Sequence, residues 1–226
     1  MKTSTGEILK IASVAMGICA MLAGCAAPKP RPDDNIDDGL VRVDKALLDE
    51  LYVSPDAPLA HYKRVMIDPI EVTFKDGWRK QHPDLNDKDF ESLQTRLATS
   101  LREVLVAEFA RGGYVLVESP ANDVLRVRAS ITDANFASPE SGEDKHTFVK
   151  SAGEMTLRVQ AYDGPSGTLV ARAKDYEFDP ETRNFERADR TSTNVAARRI
   201  FAKWAEELRS ALDVAKVSAD ARKPQG

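Results

Sequence analysis

Asp123 to Asp133 alternates apolar and polar side chains without a break, and this stretch constrains the fold more than any other. Leu125, Val127, Ala129 and Ile131 fall on one side; Arg126, Arg128, Ser130 and Thr132 fall on the other. Successive side chains of a strand point to opposite faces, so a period of two predicts one covered and one wet sheet face. The pattern recurs from Glu154 to Tyr162, with Met155, Leu157, Val159 and Ala161 inward and Thr156, Arg158 and Gln160 outward. Asp163-Gly164-Pro165-Ser166-Gly167 then supplies a turn, and Thr168 to Phe178 returns beside the second strand. The residue types of that turn favour chain reversal, so the pair is a hairpin.

The rest of the chain supplies the cover. Asn86 to Arg111 is a helix: Asn86 caps it, Asp87 and Asp89 suit its positive end, and Gly112-Gly113 stops it. Phe90, Leu93, Leu97, Leu101, Val104, Leu105 and Phe109 recur at three- and four-residue spacing. Thr191 to about Val217 forms a second helix, capped by Thr191 or Thr193, with Val195, Phe201, Trp204, Ala205, Leu208 and Leu212 along its stripe. Lys63 to Phe74 reads as a strand whose apolar phase slips at Asp68-Pro69, which predicts a bulge or an edge. Tyr114 to Glu118 is a short strand, and Lys75 to Leu85 is a loop whose Trp78 covers the core. Leu40 to Ala60 reads as a strap, with Asp44 capping a short helix to about Leu51 before Pro55 and Pro58 enforce a loop. Ala134 to Gly153, a long loop rich in Ser, Glu, Asp, Lys and Gly, is of a kind that is either functional or mobile. This order of elements predicts an α+β fold: a two-layer sandwich, with a mixed, mostly antiparallel sheet of about five strands carrying two long helices on one face.

The N-terminus reads as a targeting segment. Met1 to Lys10 is mildly cationic, with Lys2 and Lys10 against Glu7, and Ile11 to Met21 is apolar. That apolar run is shorter than the roughly 20 residues needed to span a bilayer. It closes on Leu22-Ala23-Gly24-Cys25, which resembles the lipobox of bacterial lipoproteins. The resemblance implies cleavage before Cys25, diacylglycerol on its sulfur and usually an acyl group on its amine, and two or three acyl chains anchor durably. Ala26, and not aspartate, follows the cysteine, which implies the inner leaflet of the outer membrane, facing the periplasm. Residues 1–24 are then a signal peptide, 25–39 the lipidated cysteine and a tether, 40–217 a single periplasmic domain, and 218–226 a polar tail. The tether carries Pro28, Pro30 and Pro32 with Asp33, Asp34, Asp37 and Asp38. Extended, such a spacer holds the domain about 40 Å from the headgroups, and its aspartates are repelled by anionic lipid.

Charge and motif content narrow the function classes. Without residues 1–24 the chain has 30 basic and 35 acidic side chains, a net charge of −5 that excludes nucleic acid as a partner. Cys19 leaves with the signal and Cys25 is consumed by lipid, so no thiol remains for a disulfide, a metal or a nucleophile. His61, His82 and His146 are scattered, which predicts no metal site. No nucleophile elbow, phosphate-cradling loop or dinucleotide fingerprint is present, so no catalytic residue and no cofactor beyond the covalent lipid is expected.

Tyr62-Lys63-Arg64-Val65-Met66-Ile67-Asp68-Pro69, Asp123 to Asp133 and Trp204-Ala205 together resemble a family of bacterial lipoproteins known as domain of unknown function 3313. The resemblance covers residues 40–214, and it implies no activity. One surface feature stands out beside it: Arg126, Arg128, Arg158, Arg172 and Lys174 all project from the uncovered sheet face. A basic stripe on an acidic protein predicts an anionic partner, whether lipid headgroup, glycan or acidic protein surface. The expected role is a non-catalytic, membrane-anchored lipoprotein that binds or scaffolds an envelope component. The alternative is a periplasmic enzyme or small-ligand binder with a pocket between strap and sheet.

Overall fold

A computed structural model describes residues 39–44, 46–136, 153–178 and 190–220. The alternating stretch is its longest strand. In chain order the strands are β1 (Val41–Arg42), β2 (Glu50–Val53), β3 (Arg64–Ile67), β4 (Glu71–Phe74), β5 (Val115–Leu116), β6 (Val124–Phe136), β7 (Gly153–Asp163) and β8 (Leu169–Phe178). They form one sheet in the order β1-β2-β8-β7-β6-β3-β5, and β4 also pairs with β6. The pairs β1–β2, β2–β8, β8–β7 and β7–β6 are antiparallel; β3 and β4 run parallel to β6, and β3 runs parallel to β5. The fold is α+β with a mixed, mostly antiparallel sheet.

The sheet has eight strands where about five were expected, for two physical reasons. First, the helix expected from Asp44 to Leu51 does not form. Leu51 and Val53 instead turn towards the core while Tyr52 faces away, and β2 hydrogen-bonds the edge of β8. Four residues of alternation are too few to outweigh a helical pattern in the sequence, but an unpaired sheet edge rewards them. Secondly, the phase slip at Asp68-Pro69 is a full break. Proline cannot donate to the ladder, so β3 ends at Ile67 and β4 starts at Glu71, each pairing with its own part of β6.

The helices are α1 (Trp78–Gln81), α2 (Asp87–Arg111) and α3 (Arg190–Asp220), with one 3-10 turn at Leu59–His61. The α2 start is a capping box: the Asn86 side chain accepts from the Asp89 amide at 3.1 Å, and the Asp89 carboxylate accepts from the Asn86 amide at 3.2 Å. Leu93, Leu97, Leu101, Leu105 and Phe109 bury its stripe, while Phe90 and Val104 are only partly covered. Gly113 takes a positive φ of 81° and turns the chain into β5, a conformation that costs glycine nothing.

On α3, Ala196, Ala197, Ile200, Phe201, Trp204, Ala205 and Leu212 are buried. Val195 is exposed, because the neighbouring Ala196 and Ala197 take the inward positions. The helix also runs on past Val217 to Asp220, into the segment read as tail. The side chains of Thr191 and Thr193 lie outside the described residues. Glu108 of α2 joins the two long helices by accepting from Arg209 Nε at 2.6 Å, and the Tyr114 hydroxyl donates to Asp213 at 2.9 Å.

Trp78 closes the core, as its ring suggested, but from the single-turn helix α1 and not from a loop. Its indole donates to the Phe136 carbonyl at 3.1 Å and stacks between Phe74 and His82. The loop expected at Ala134 to Gly153 is shorter at both ends, since Ala134 to Phe136 extend β6 and Gly153 opens β7. Its remainder, 137–152, lies outside the described residues, as do residues 1–38, which the sequence assigns to a signal segment and a tether. Among the described residues no helix is long and apolar enough to cross a membrane.

Candidate functional site

Strand register decides which side chains meet on the sheet face opposite the buried core, the open face among the described residues. On that face Arg42 stands opposite Tyr52, Tyr52 opposite Arg172, Arg172 opposite Gln160, and Gln160 opposite Arg128. These five residues form one row across β1, β2, β8, β7 and β6. With neighbouring strands about 4.8 Å apart, the row is roughly 19 Å long. A second row beside it reads Glu50, Lys174, Arg158 and Ser130. Arg126, opposite Tyr162, stands on the same face. The register therefore brings Arg126, Arg128, Arg158, Arg172 and Lys174 together, and it adds Arg42.

Each cation meets a different environment. Asp68, only 5% exposed, lies beneath Arg126 and Arg128. Arg126 Nε donates to its two oxygens at 2.9 and 3.0 Å, and Arg128 Nε approaches one of them at 3.4 Å. The Arg128 guanidinium also covers the Tyr162 ring at 5.5 Å, and that of Arg172 covers Tyr52 at 4.7 Å. Lys174 reaches Glu50 at 3.5 Å. Arg158 has neither hydrogen bond nor ion pair among the described residues.

Arg158 stands directly opposite Lys174, with Arg128 and Arg172 on the diagonals. Like charges directly opposite one another destabilise a sheet. Glu50 offsets Lys174 within the row and Asp68 offsets Arg128, and two further acids lie at the margins. Glu71 is exposed opposite Ser130. Glu154 is held by Asn135, Tyr176 and Lys75, whose hydrogen bonds lower its pKa to about 2. Burial and the Glu154 contact push the Tyr176 hydroxyl up to about 12.

Two other places could carry function. A cavity of about 70 Å³ lies between the covered face and the helices, lined by residues including Leu51, Val53, Val127, Val159, Leu208 and Leu212. Ala161, Ala171 and Ala173 are too small to fill it. Ligand pockets run to roughly 300–1,000 Å³ and hold convergent polar groups; this one is smaller, and apolar except where it meets Arg172. The second place is a group of carboxylates under α3. Asp175, 2% exposed, accepts from the Asp49 amide at 2.8 Å and from Trp204 Nε1 at 2.9 Å. Burial pushes its pKa up, and that of Glu207 likewise. Lys203 reaches both Glu177 and Glu207. No three His, Cys, Asp or Glu side chains among the described residues are placed to hold a metal. His61 contacts the Asn122 carbonyl and His82 the Trp78 carbonyl; His146 lies outside the described residues.

Leu22, Ala23, Gly24 and Cys25 also lie outside the described residues. Two participants escaped the sequence. Arg42 sits in a stretch whose pattern pointed to a strap, although Val41 and Val43 on either side of it were a strand signal. Asp68 marked only the phase slip before proline, and its burial beneath Arg126 and Arg128 follows from the pairing of β3 with β6.

No curated protein matches the chain by sequence. Among solved structures it is similar to the PelC dodecamer from Paraburkholderia phytofirmans, at 13% identity and a TM-score of 0.37, covering 70% of this chain and 96% of that one. The minor lipoprotein from Acinetobacter baumannii is similar at 11% identity and a TM-score of 0.37, over 69% of this chain and 95% of that one. A protein from Xanthomonas campestris reaches a TM-score of 0.42 at 11% identity, over 76% and 94%. Likenesses this remote carry no argument about role. A family model described as protein of unknown function (DUF3313) matches residues 37–208. Over three quarters of its length, then, this chain answers to one family pattern, and it belongs to the DUF3313 family.

Proposed function

We propose that this chain is a lipid-anchored, non-catalytic protein of the bacterial envelope, whose folded domain captures an anionic partner on its uncovered sheet face. The observation that carries the proposal is Arg158 opposite Lys174, flanked by Arg128 and Arg172. Arg158 has no bonded partner among the described residues and stands against a like charge, whereas an anion laid over the group relieves the repulsion. The lipobox-like Leu22-Ala23-Gly24-Cys25 supports the address: lipid on Cys25, the inner leaflet of the outer membrane, and a domain facing the periplasm.

The binding half is tested by ion exchange. A protein with a sequence pI near 5.5 should flow through a carboxylate matrix at neutral pH. The basic face predicts retention at low salt instead, elution by moderate salt, and flow-through for Arg158→Glu with an unchanged melting temperature. Flow-through of the unaltered protein overturns the anion-binding face. The address is tested separately: Cys25→Ser should fold normally and leave the membrane fraction, and continued sedimentation with membranes refutes the anchor.

A further inference from the structure

The reading of the open face as an anion site leaves its occupant unnamed. Resting on that reading, we infer that the occupant is an extended acidic glycan, a chain of carboxylated sugars laid across the strands along the row from Arg42 to Arg128. Three features of the face select it.

The first is spacing. Arg42, Arg172 and Arg128 recur on every second strand, about 10 Å apart. Donors spread in a line do not converge on one small anion, but they match charges repeated along a chain. Binding several carboxylates at once also multiplies weak contacts. The guanidinium fork takes carboxylate in bidentate fashion, and stacking on Tyr52 and Tyr162 pre-orients Arg172 and Arg128 for it.

The second is what lies between the cations. Gln160 fills the gap between Arg172 and Arg128, Ser130 ends the second row, and Thr132 and the exposed Tyr176 flank the buried Thr156 in the row beyond them. Amide and hydroxyl groups pair with sugar hydroxyls. A protein partner would call for an apolar centre ringed by polar groups, and neither row holds an exposed aliphatic side chain. Tyr176 and Phe178, exposed with ring centroids 6.4 Å apart and planes inclined by 31°, lie at the margin and offer aromatic faces to a sugar ring.

The third is the approach to the membrane. The segment that leads from Cys25 to β1 carries Asp33, Asp34, Asp37 and Asp38. With Lys29 and Arg31 counted against them, the four aspartates still leave the segment net acidic, which disfavours close contact with anionic headgroups and supports an occupant off the membrane.

The test uses the full-length lipidated protein in non-ionic detergent at low salt. Its probes are a long oligogalacturonate, monomeric galacturonate, neutral dextran, polyglutamate, and vesicles of phosphatidylglycerol with phosphatidylcholine. The oligogalacturonate is expected to bind at least about tenfold tighter per carboxylate than the monomer. Dextran should not bind, and Arg42→Gln and Arg172→Gln should each weaken the oligomer about tenfold with melting temperatures unchanged. Equal affinity for monomer and oligomer overturns the extended chain while leaving the anion face intact. Polyglutamate binding as tightly as the uronate replaces the glycan by an acidic protein. Vesicles that bind where the oligomer does not replace it by headgroups. Failure of every anionic probe overturns both the glycan and the anion-binding face.

Discussion

Asp68 and Asp175 are both buried carboxylates at the sheet, and the protein treats them in opposite ways. Asp68 lies on the open side, beneath two guanidiniums that it neutralises in place. Asp175 lies between β8 and α3, where its two closest partners are neutral N–H donors, and burial pushes its pKa upward. On the open side the sheet therefore keeps its charges and arranges them. On the covered side it tolerates an acid by making the proton easier to hold. The carboxylates under α3 thus work as a fastening for the helix, while Arg158 on the open side has no bonded partner among the described residues.

The largest effect expected from breaking this contrast is at Trp204, fully buried and bonded to Asp175. Trp204→Ala should cost about 3–5 kcal/mol in urea unfolding, from lost burial and the cavity left behind. Trp204→Phe keeps most of the packing and removes only the N–H, so it should cost about 1–3 kcal/mol. A phenylalanine variant as stable as the parent would mean that the indole does not hold Asp175, and the fastening would fail.

Asp68→Asn probes the other side. It leaves Arg126 and Arg128 without a counter-charge, and stability should fall by about 1–3 kcal/mol. Affinity for an anionic polymer should rise at the same time, because the face loses a negative charge. No substitution under α3 is expected to move these two quantities in opposite directions. If stability and affinity fall together, Asp68 organises the cations and does more than offset them.

Long periodic stretches carried most of the fold in legible form. β6, β7, β8 and α2 each turn one face to the core, so their pattern survives over ten or more residues. The parts that were not legible are short or depend on partners distant in sequence. Glu50–Val53 is a strand only because β8 offers an unpaired edge, and Arg42 follows it into the sheet. Parity alone placed Arg126, Arg128, Arg158, Arg172 and Lys174 on one face. It could not show that Asp68 and Glu50 would arrive from other strands to offset some of them and leave Arg158 without a partner among the described residues. The group at Asp175 was invisible for the same reason, since Asp49, Asp175 and Trp204 are joined only by the tertiary fold.

A smaller effect, and one with a pH signature, is expected at Glu207. Its Oε2 has no hydrogen-bond partner among the described residues, and burial raises its pKa. The folded protein therefore takes up this proton more readily than the unfolded chain, so the ionised carboxylate is a burden at neutral pH that lifts as pH falls through the folded-state pKa. Glu207→Gln should stabilise by about 1 kcal/mol at pH 7, and the gain should fade towards the ordinary carboxylate range. Glu154 has the opposite sign. With its folded pKa lowered to about 2, it adds stability above the unfolded value near 4.3 and loses it as pH falls towards 2. A Glu207→Gln variant destabilised at pH 7 would show that the Lys203 contact outweighs burial.

The smallest effect on stability is the most informative about the open face. Arg158 is exposed and has no bonded partner among the described residues, and its nearest charge across the ladder is Lys174. Arg158→Gln should leave unfolding within about 0.5 kcal/mol of the parent, tilted towards stabilisation because a repulsion is removed. Arg126→Gln, by contrast, should cost more, since it takes away the main partner of a buried carboxylate. If arginine at 158 served the fold, its removal would cost stability at any ionic strength. If it serves an anion, unfolding stays level while retention on a carboxylate matrix falls, and added salt erases the difference between the two proteins. A clear stability loss in Arg158→Gln would make the like-charge pair structural and remove the reason for looking outside the chain for its partner.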